Sequence, residues 1–279
     1  MKIIPLAADS LGVRSMATKI ITDDTVILID PAAALGPRRY GLRPHKLELE
    51  ALEVAWERIV EESEDAEVIV ITHYHYDHHS RKRNIEIYKN KILFIKDPNT
   101  KINRSQMWRS REFLKKIRNL PREIIVADGR EFFIGDTRIK FSPPVPHGEP
   151  DTKLGYVLEV LIQEDFGFIF TSDVEGLMDE SQLRFILENN PKVVYIDGPP
   201  IYLGPRKISD KLLDTCRKNI HRVLSETQVE RLIIDHHLLR DLNFREYLHG
   251  LNGYITMAEF VGLPLNMLEA RRRELWGVD

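Results

Sequence analysis

The sequence predicts an α/β protein, because short β-branched runs alternate with segments whose apolar residues recur at helical spacing. Seven runs have the composition of strands: residues 25–29, 67–72, 138–141, 156–162, 166–171, 192–196 and 231–234. No internal repeat, low-complexity tract or Gly/Ser-rich linker interrupts the 279 residues. We therefore expect one domain that spans residues 1–279.

Helices are predicted between several of these strands. Two segments carry apolar residues at three-and-four spacing: Leu49, Leu52, Trp56, Ile59 and Val60, and Leu212, Cys216, Ile220 and Val223. Asp179 and Gln182 resemble a capping box that opens a third helix. Further helices are expected over residues 105–119 and, interrupted near Pro264, over about 257–276.

Composition excludes several classes of protein. Hydrophobic residues make up 43% of the chain and charged residues 30%, with a net charge of −3, as in ordinary globular proteins. The single cysteine, Cys216, excludes a disulfide framework, a four-thiolate zinc site and an iron–sulfur cluster held within one chain. No stretch approaches the roughly 18 apolar residues of a membrane span. We expect a cytoplasmic protein without a membrane partner, and the sequence assigns no oligomeric state.

A dense group of metal-binding side chains follows the strand predicted over residues 67–72. The chain reads His73-Tyr74-His75-Tyr76-Asp77-His78-His79. Ligand sites of α/β proteins lie at the carboxyl ends of strands. His73 and His75 can point the same way from an extended segment, whereas Asp77 and His78 can face a second ion after a turn. The spacing therefore permits two metal ions, and the alternative is a polar, histidine-rich surface turn.

This loop resembles the His-x-His-x-Asp-His signature of the metallo-β-lactamase superfamily. Four more residues stand in the order in which that pattern continues, each in a strand-end or loop context: Asp30, His147, Asp173 and His236. The resemblance covers about residues 25–237 and is strongest to a compact, archaeal-type branch. It implies an αβ/βα sandwich, with two mixed β-sheets face to face and helices outside, but no particular substrate.

The resemblance also implies a metal-dependent hydrolase with two divalent ions. The first ion would be bound by His73, His75 and His147, the second by Asp77, His78 and His236, and Asp173 would bridge them. Two such ions can hold a shared hydroxide, lower its pKa and stabilise the oxyanion that forms during attack. Asp77 would also be catalytic by orienting that hydroxide. Zinc is expected, and the ligands also suit iron or manganese.

Four residues are predicted to support the ligands from behind. Asp30 would hold the histidine loop, and His79 would pack beside it or orient it. Asp197 ends a strand on the same face, where a turn role competes with a supporting one. The doublet His236–His237 is ambiguous, because adjacent side chains leave a strand in opposite directions. We favour His236 as the ligand and His237 as its neighbour.

The spacing and identity of the motif residues argue against three specialised branches of the superfamily: tRNA 3′-processing enzymes, RNA-cleaving enzymes with a cap domain, and flavo-diiron proteins. Only 26 positions separate His147 from Asp173, too few for the long arm of tRNA 3′-processing members. The 63 positions between Asp173 and His236 are too few for the cap domain of RNA-cleaving members. His75 stands where flavo-diiron relatives carry glutamate.

Three alternatives to a two-metal hydrolase are another fold, a protein without catalytic activity, and a different metal chemistry. A TIM-barrel amidohydrolase also begins with His-x-His, but only about 200 residues follow His78, which is tight for a barrel. A non-catalytic binding protein would typically lack a ligand, and every position of the pattern is occupied. A mononuclear iron sulfur dioxygenase shares the histidine loop and stays open.

A basic segment bears on the substrate. Residues 81–123 contain fourteen Lys and Arg against four Asp and Glu, a net of +10, so the remainder carries −13. The segment includes Arg81, Arg109 and Arg111, and Trp108 could add a stacking surface. If part of it overhangs the metals, the substrate is anionic, as in a small-molecule phosphodiester or a nucleic acid. If it is only a solvated helix face, lactone, thioester or carboxylic-ester hydrolysis is the alternative.

Overall fold

Two mixed β-sheets make up the centre of the computed structural model, which describes residues 1–80 and 82–278. Arg81, the first residue of the basic segment, lies outside the described residues. The first sheet has six strands in chain order: β1 (Lys2–Pro5), β2 (Thr18–Ile21), β3 (Val26–Ile29), β4 (Val68–Ile71), β5 (Ile92–Ile95) and β6 (Glu123–Val126). Pairing is antiparallel from β1 to β3 and parallel from β3 to β6.

The second sheet has seven strands: β7 (Glu131–Ile134), β8 (Thr137–Phe141), β11 (Val160–Gln163), β12 (Gly167–Phe170), β13 (Val193–Asp197), β14 (Arg231–Asp235) and β15 (Tyr254–Ile255). Their order is β15-β14-β13-β12-β11-β8-β7, parallel from β15 to β12 and antiparallel thereafter. A separate antiparallel ribbon joins β9 (Val145–Pro146) to β10 (Tyr156–Val157). This ribbon places His147 directly after a strand.

Helices cover the outer face of each sheet. The described helices are α1 (Lys46–Glu61), α2 (Arg104–Ile117), α3 (Glu180–Asn189), α4 (Asp210–Glu226), α5 (Phe244–Tyr247), α6 (Met257–Phe260) and α7 (Arg272–Leu275). Alternate strand residues face opposite sides: Ile27 packs in the core between the sheets, whereas Leu28 packs against α1 and α2. In the second sheet, Val194 and Leu232 pack against α3 and α4. The predicted αβ/βα sandwich is confirmed.

The prediction of a helical segment over residues 257–276 is wrong in extent. Only α6 and α7, one turn each, are helical there. Gly262 adopts a left-handed φ of 70°, and Pro264 supplies no backbone N–H, so the helix cannot continue. The segment is instead fixed by the fully buried Arg272, which donates to both carboxylate oxygens of Glu48 at 2.6 and 2.8 Å.

The strand predicted over residues 156–162 is also corrected. It divides into β10 and β11, because Leu158 donates its N–H to Thr72 O and Glu159 donates its N–H to Ser142 Oγ. Among the described residues, no helix combines the length and apolar character needed to cross a bilayer.

Candidate metal centre

The candidate metal-binding residues meet where strands of both sheets end. The histidine loop follows β4, His147 follows β9, Asp173 follows β12 and His236 follows β14. Three residues at these strand ends adopt left-handed backbone conformations: Asp30 (φ 48°), Ser172 (φ 56°) and His236 (φ 60°). Such conformations cost roughly 1–3 kcal/mol each for residues other than glycine and cluster at functional sites. The backbone is therefore strained at the point where the sheets deliver these side chains.

Asp173 lies at the middle of the group, and its Oδ2 faces three histidines. His147 Nε2 lies 3.2 Å from this oxygen, His73 Nε2 3.4 Å and His75 Nδ1 4.0 Å. His147 Nε2 and His75 Nδ1 are themselves 3.2 Å apart. These nitrogens and the carboxylate oxygen therefore enclose one small volume.

The other oxygen of Asp173 faces a second set of donors. His78 Nε2 lies 3.0 Å from Oδ1 and His236 Nε2 lies 3.5 Å from it. Asp77 completes the set, since its carboxylate oxygens lie 4.0 Å from His78 Nε2 and 3.8 Å from His236 Nε2. The side chain of Asp77 is 16% exposed against 2% for Asp173, so Asp77 stands at the open side of the centre.

These atoms fit divalent metal ions. Among the described residues, His73 Nε2, His78 Nε2 and Asp173 Oδ1 are buried without a hydrogen-bond partner. Unpartnered buried polar atoms are costly, and a shared cation satisfies them together. Ligands about 2.0–2.1 Å from a tetrahedral ion lie about 3.3 Å from each other, which matches the spacing around both oxygens of Asp173. The centre can therefore hold divalent metal without large rearrangement.

Two carboxylates behind the centre orient two of the imidazole rings. Asp30 accepts hydrogen bonds from Thr72 N at 2.8 Å and from His78 Nδ1 at 2.8 Å. Asp9 Oδ2 accepts one from His236 Nδ1 at 2.7 Å. A ring whose Nδ1 donates its hydrogen presents the Nε2 lone pair on its opposite side. Both rings thereby direct Nε2 toward Asp173.

His79 lies on the far side of the loop. Its Nδ1 donates to His75 O at 2.9 Å, and its ring packs 4.9 Å from that of Phe113 in α2. Burial lowers the pKa of His79 to about 3, so this ring is neutral. The ring therefore fixes the backbone of His75 and packs in the core against Phe113.

The doublet does not obey simple strand alternation. β14 ends at Asp235, and the left-handed His236 turns the chain into a 3-10 helix, His236–Arg240. Both rings consequently lie near the centre, with centroids 4.5 Å apart. His237 Nδ1 donates to Asp197 at 3.0 Å, while His236 Nε2 points toward Asp173 and Asp77. Asp197 also accepts from Glu175 N at 3.0 Å.

Carboxylates and imidazoles of the centre shift each other's pKa values, so that Asp173 is ionised and His147 and His236 attract protons. Burial alone would raise the pKa of Asp173, but His78, His73 and His236 hold it well below its ordinary value. Burial would lower the pKa of His147 and His236, yet their neighbouring carboxylates raise both to about 10. The carboxylates therefore attract positive charge to this point, whether protons or a metal cation carry it.

Sequence reasoning missed three residues of the centre. Asp9 binds His236, and Arg240 donates through Nε to Asp9 Oδ1 at 2.8 Å. Glu175 Oε1 lies 3.4 Å from His147 Nδ1. No helix was predicted after His236, so nothing in the sequence marked Arg240, which the 3-10 helix His236–Arg240 brings beside that ring. Asp9 carried no signal, since 227 residues separate it from its partner.

Four basic residues of the segment, all within its described part, lie in different surroundings. Arg83 pairs with Glu53 on α1, and Lys96 is buried against Asp128 at 2.9 Å. Arg111 is exposed on α2. Arg109 lies beside the histidine loop, with its guanidinium 4.5 Å from the ring centre of Tyr76.

Comparison with known proteins places the chain in a family. No protein-family model matches it. A UPF0282 protein of Korarchaeum cryptofilum (strain OPF8) is 47% identical over 285 residues, which cover 99% of this chain and 94% of that protein. The chain belongs to the UPF0282 family. A UPF0282 protein of Metallosphaera sedula is 45% identical over 100% of this chain and 94% of its own length.

Solved structures that resemble this UPF0282 protein share its fold at low sequence identity. The isothiocyanate hydrolase from Delia radicum gut bacteria has a TM-score of 0.58 at 17% identity, covering 88% of this chain and 94% of that one. The metallo-beta-lactamase fold protein YhfI from Bacillus subtilis has a TM-score of 0.50 at 13% identity, covering 87% and 88%. The UPF0282 chain therefore has the metallo-β-lactamase fold, and the predicted resemblance is confirmed.

Proposed function

We propose that this chain is a metal-dependent hydrolase whose centre binds two divalent ions, with zinc as the metal. The observation that carries the proposal is the division of nitrogen donors between the two oxygens of Asp173. One ion would be bound by His73, His75 and His147, the other by Asp77, His78 and His236, and both by Asp173. Three nitrogen donors on one side and a mixed set on the other suit zinc, which accepts both ligand types.

The chain's own residues supply orientation and a proton acceptor. Bound divalent cations supply an activated water at neutral pH and positive charge beside the reacting bond. Burial would raise the pKa of Asp77, but His78 and His236 hold it below its ordinary value, so the carboxylate is ionised. Its open position lets an oxygen of Asp77 orient the attacking water and accept its proton. Asp30 and Asp9 keep two of the rings aligned through the reaction.

An anionic ester, in particular a phosphodiester, is the proposed substrate class. Arg240 is buried with Nη2 3.8 Å from Asp77 Oδ2 and 3.2 Å from His236 Nε2, so a fixed positive charge adjoins the second ligand set. Arg109 adds a second positive charge beside the histidine loop. Guanidinium groups near a reacting centre attract and position phosphate oxygens.

Metal analysis combined with a substrate panel tests this proposal. The zinc-loaded protein should contain two ions per chain and hydrolyse bis(4-nitrophenyl) phosphate faster than a neutral lactone. Asp173→Asn and Asp77→Asn should each abolish turnover while circular dichroism stays unchanged. Asp214→Asn, at an exposed carboxylate of α4, is the matched control and should retain full turnover. One iron per chain with oxygen consumption would instead establish a sulfur dioxygenase, and full turnover in both active-site variants would refute the mechanism.

A further inference from the structure

A cleft of about 770 Å³ opens beside the first ligand set. Glu175 forms part of its wall and lies 3.4 Å from His147 Nδ1, and His147 Nε2 in turn lies 3.2 Å from Asp173. The cleft therefore adjoins the candidate metal centre, with Glu175 and the His147 ring between them. Its volume falls within the roughly 300–1,000 Å³ of small-molecule sites.

Apolar side chains contribute to the lining of this cleft. Leu154 and Leu203 both line it and are 41% and 37% exposed, although both are large aliphatic residues. Met178, Ile208 and Leu212 add to the apolar lining. A ligand that covered these side chains would remove apolar surface from water, which favours binding.

The charged groups around the cleft nearly cancel. Three carboxylates, Glu149, Asp151 and Glu175, face two ammonium groups, Lys153 and Lys207. A cleft with so little net charge does not select strongly for either sign. Its lining therefore suits an uncharged, apolar group, in contrast to the Arg240 side of the centre.

Hydrogen bonds hold the walls in place. Gln182 Nε2 donates to Pro146 O and Gly148 O at 2.8 and 2.9 Å, and Gln106 Nε2 donates to Leu154 O at 2.6 Å. Gly148 has φ 84°, and a Cβ at this position would clash with the carboxylate of Glu175. Only glycine lets Glu175 pack this close to the loop. The cleft is thus preformed, which lowers the entropic cost of binding.

We propose that this cleft binds the apolar group of the substrate, so that the substrate is a small ester with an anionic reacting end and an alkyl or aryl group attached to it. The reacting end lies at Asp173, between the two ligand sets, and the apolar group extends past His147 between Leu154 and Leu203. This inference rests on the proposed hydrolase function and adds the shape of its substrate. A nucleic acid carries charges along its whole length, so it does not match a site that separates an anionic end from an apolar group.

Calorimetric titration of the zinc-loaded protein with methyl-, butyl- and octylphosphonate tests the inference. Affinity should rise by about fourfold for each methylene that enters the cleft, until the cleft is filled. Leu203→Ser and Leu154→Ser should each reduce the preference for octyl- over methylphosphonate by about tenfold, with methylphosphonate binding unchanged. Leu49→Ser, at an exposed leucine of α1 outside the cleft, is the matched control.

Binding and turnover give separable outcomes. A preference for octyl- over methylphosphonate that falls about tenfold in Leu203→Ser supports the cleft even if no ester is hydrolysed. Absence of hydrolysis would refute only the proposed function. Equal affinity for the three phosphonates, or equal preference in the parent and both cleft variants, overturns the inference. Tighter binding of an oligonucleotide than of octylphosphonate, with no effect of either leucine variant, also overturns it.

Discussion

Asp9 Oδ2 lies 2.7 Å from His236 Nδ1, although 227 residues separate the two in sequence. The other oxygen of Asp9 accepts a hydrogen bond from Arg240 Nε at 2.8 Å. A single carboxylate near the amino end of the chain therefore fixes both the imidazole that follows β14 and the arginine one turn beyond it.

Replacing Asp9 with asparagine should weaken binding of the second metal ion by about 10- to 100-fold, the usual loss when the partner of a ligating histidine is changed. The amide cannot provide the charge that holds the Nδ1 proton of His236. Competition with a chromogenic zinc chelator measures the affinity of each ion. Asp214→Asn should bind both ions as the parent does, and an equally tight second ion in Asp9→Asn would contradict this role.

The histidine doublet gives a second prediction. His236→Ala should retain one ion per chain, because it removes a nitrogen 3.5 Å from Asp173 Oδ1. His237→Ala should retain two ions, since its Nδ1 is bonded to Asp197. Elemental analysis after gel filtration distinguishes the variants. Loss of one ion only in His237→Ala would move the ligand assignment by one residue.

Arg109 and Arg111 lie on one helix but should differ in effect. Arg109→Gln should weaken phenylphosphonate binding by about two- to fivefold, the range for partly screened charges. Arg111→Gln should change it less, because Arg111 is exposed and Arg109 lies against Tyr76. Calorimetry at low and high salt measures both, and added salt should reduce the difference. Identical affinities for the two variants at low salt would remove Arg109 from the binding surface.

Glu269, which is not among the proposed metal ligands, gives a prediction about acid stability. Burial alone would raise its pKa, but two hydrogen bonds from Arg14 lower it from 4.5 to about 2. A lowered folded-state pKa stabilises the protein above pH 4.5, and this contribution is lost as the pH falls toward 2. The difference corresponds to about 3 kcal/mol at neutral pH.

Glu269→Gln should therefore reduce the free energy of unfolding at pH 7, and its deficit should shrink as the pH falls below 4.5. Urea denaturation at several pH values measures this. Glu274→Gln, at an exposed partner of Arg271, should have little effect at any pH. A deficit that stays constant between pH 7 and pH 3 would indicate lost packing instead of lost charge.

Local pattern predicted the histidine loop and the strands around it, because their signals lie within a few consecutive residues. The strand and motif from residue 67 to 79 appear as β4 and the loop that follows it. Asp9 was not predictable, because its role depends on how the first sheet docks against the second. The geometry of His236 was also out of reach, since a left-handed residue other than glycine has no reliable sequence signal.

Parts of the fold that depend on contacts between distant residues were also not predictable from local sequence pattern. Several strands of the first sheet were not predicted: the edge strands β1 and β6 and the interior strands β2 and β5. Each has only four residues, and so short an apolar run cannot be distinguished from a helix segment by periodicity alone. The helix expected over residues 257–276 is interrupted near Pro264 as predicted, but only one turn is helical on each side of the break, at α6 and α7. The irregular segment between and around these turns is held by tertiary contacts, such as the hydrogen bond from Arg272 to Glu48.

The contact between Asp9 and His236 also bears on how the protein is made. Ser10 N donates to Asp235 Oδ1, and its Oγ accepts from Ala258 N, so the turn that carries Asp9 waits for residues near the other end of the chain. During synthesis this turn is made 225 to 248 positions before Asp235, His236 and Ala258, its partners near the other end of the chain. The proposed second ligand set is accordingly complete only when His236 has been made, and prematurely terminated chains lack that histidine and Arg240.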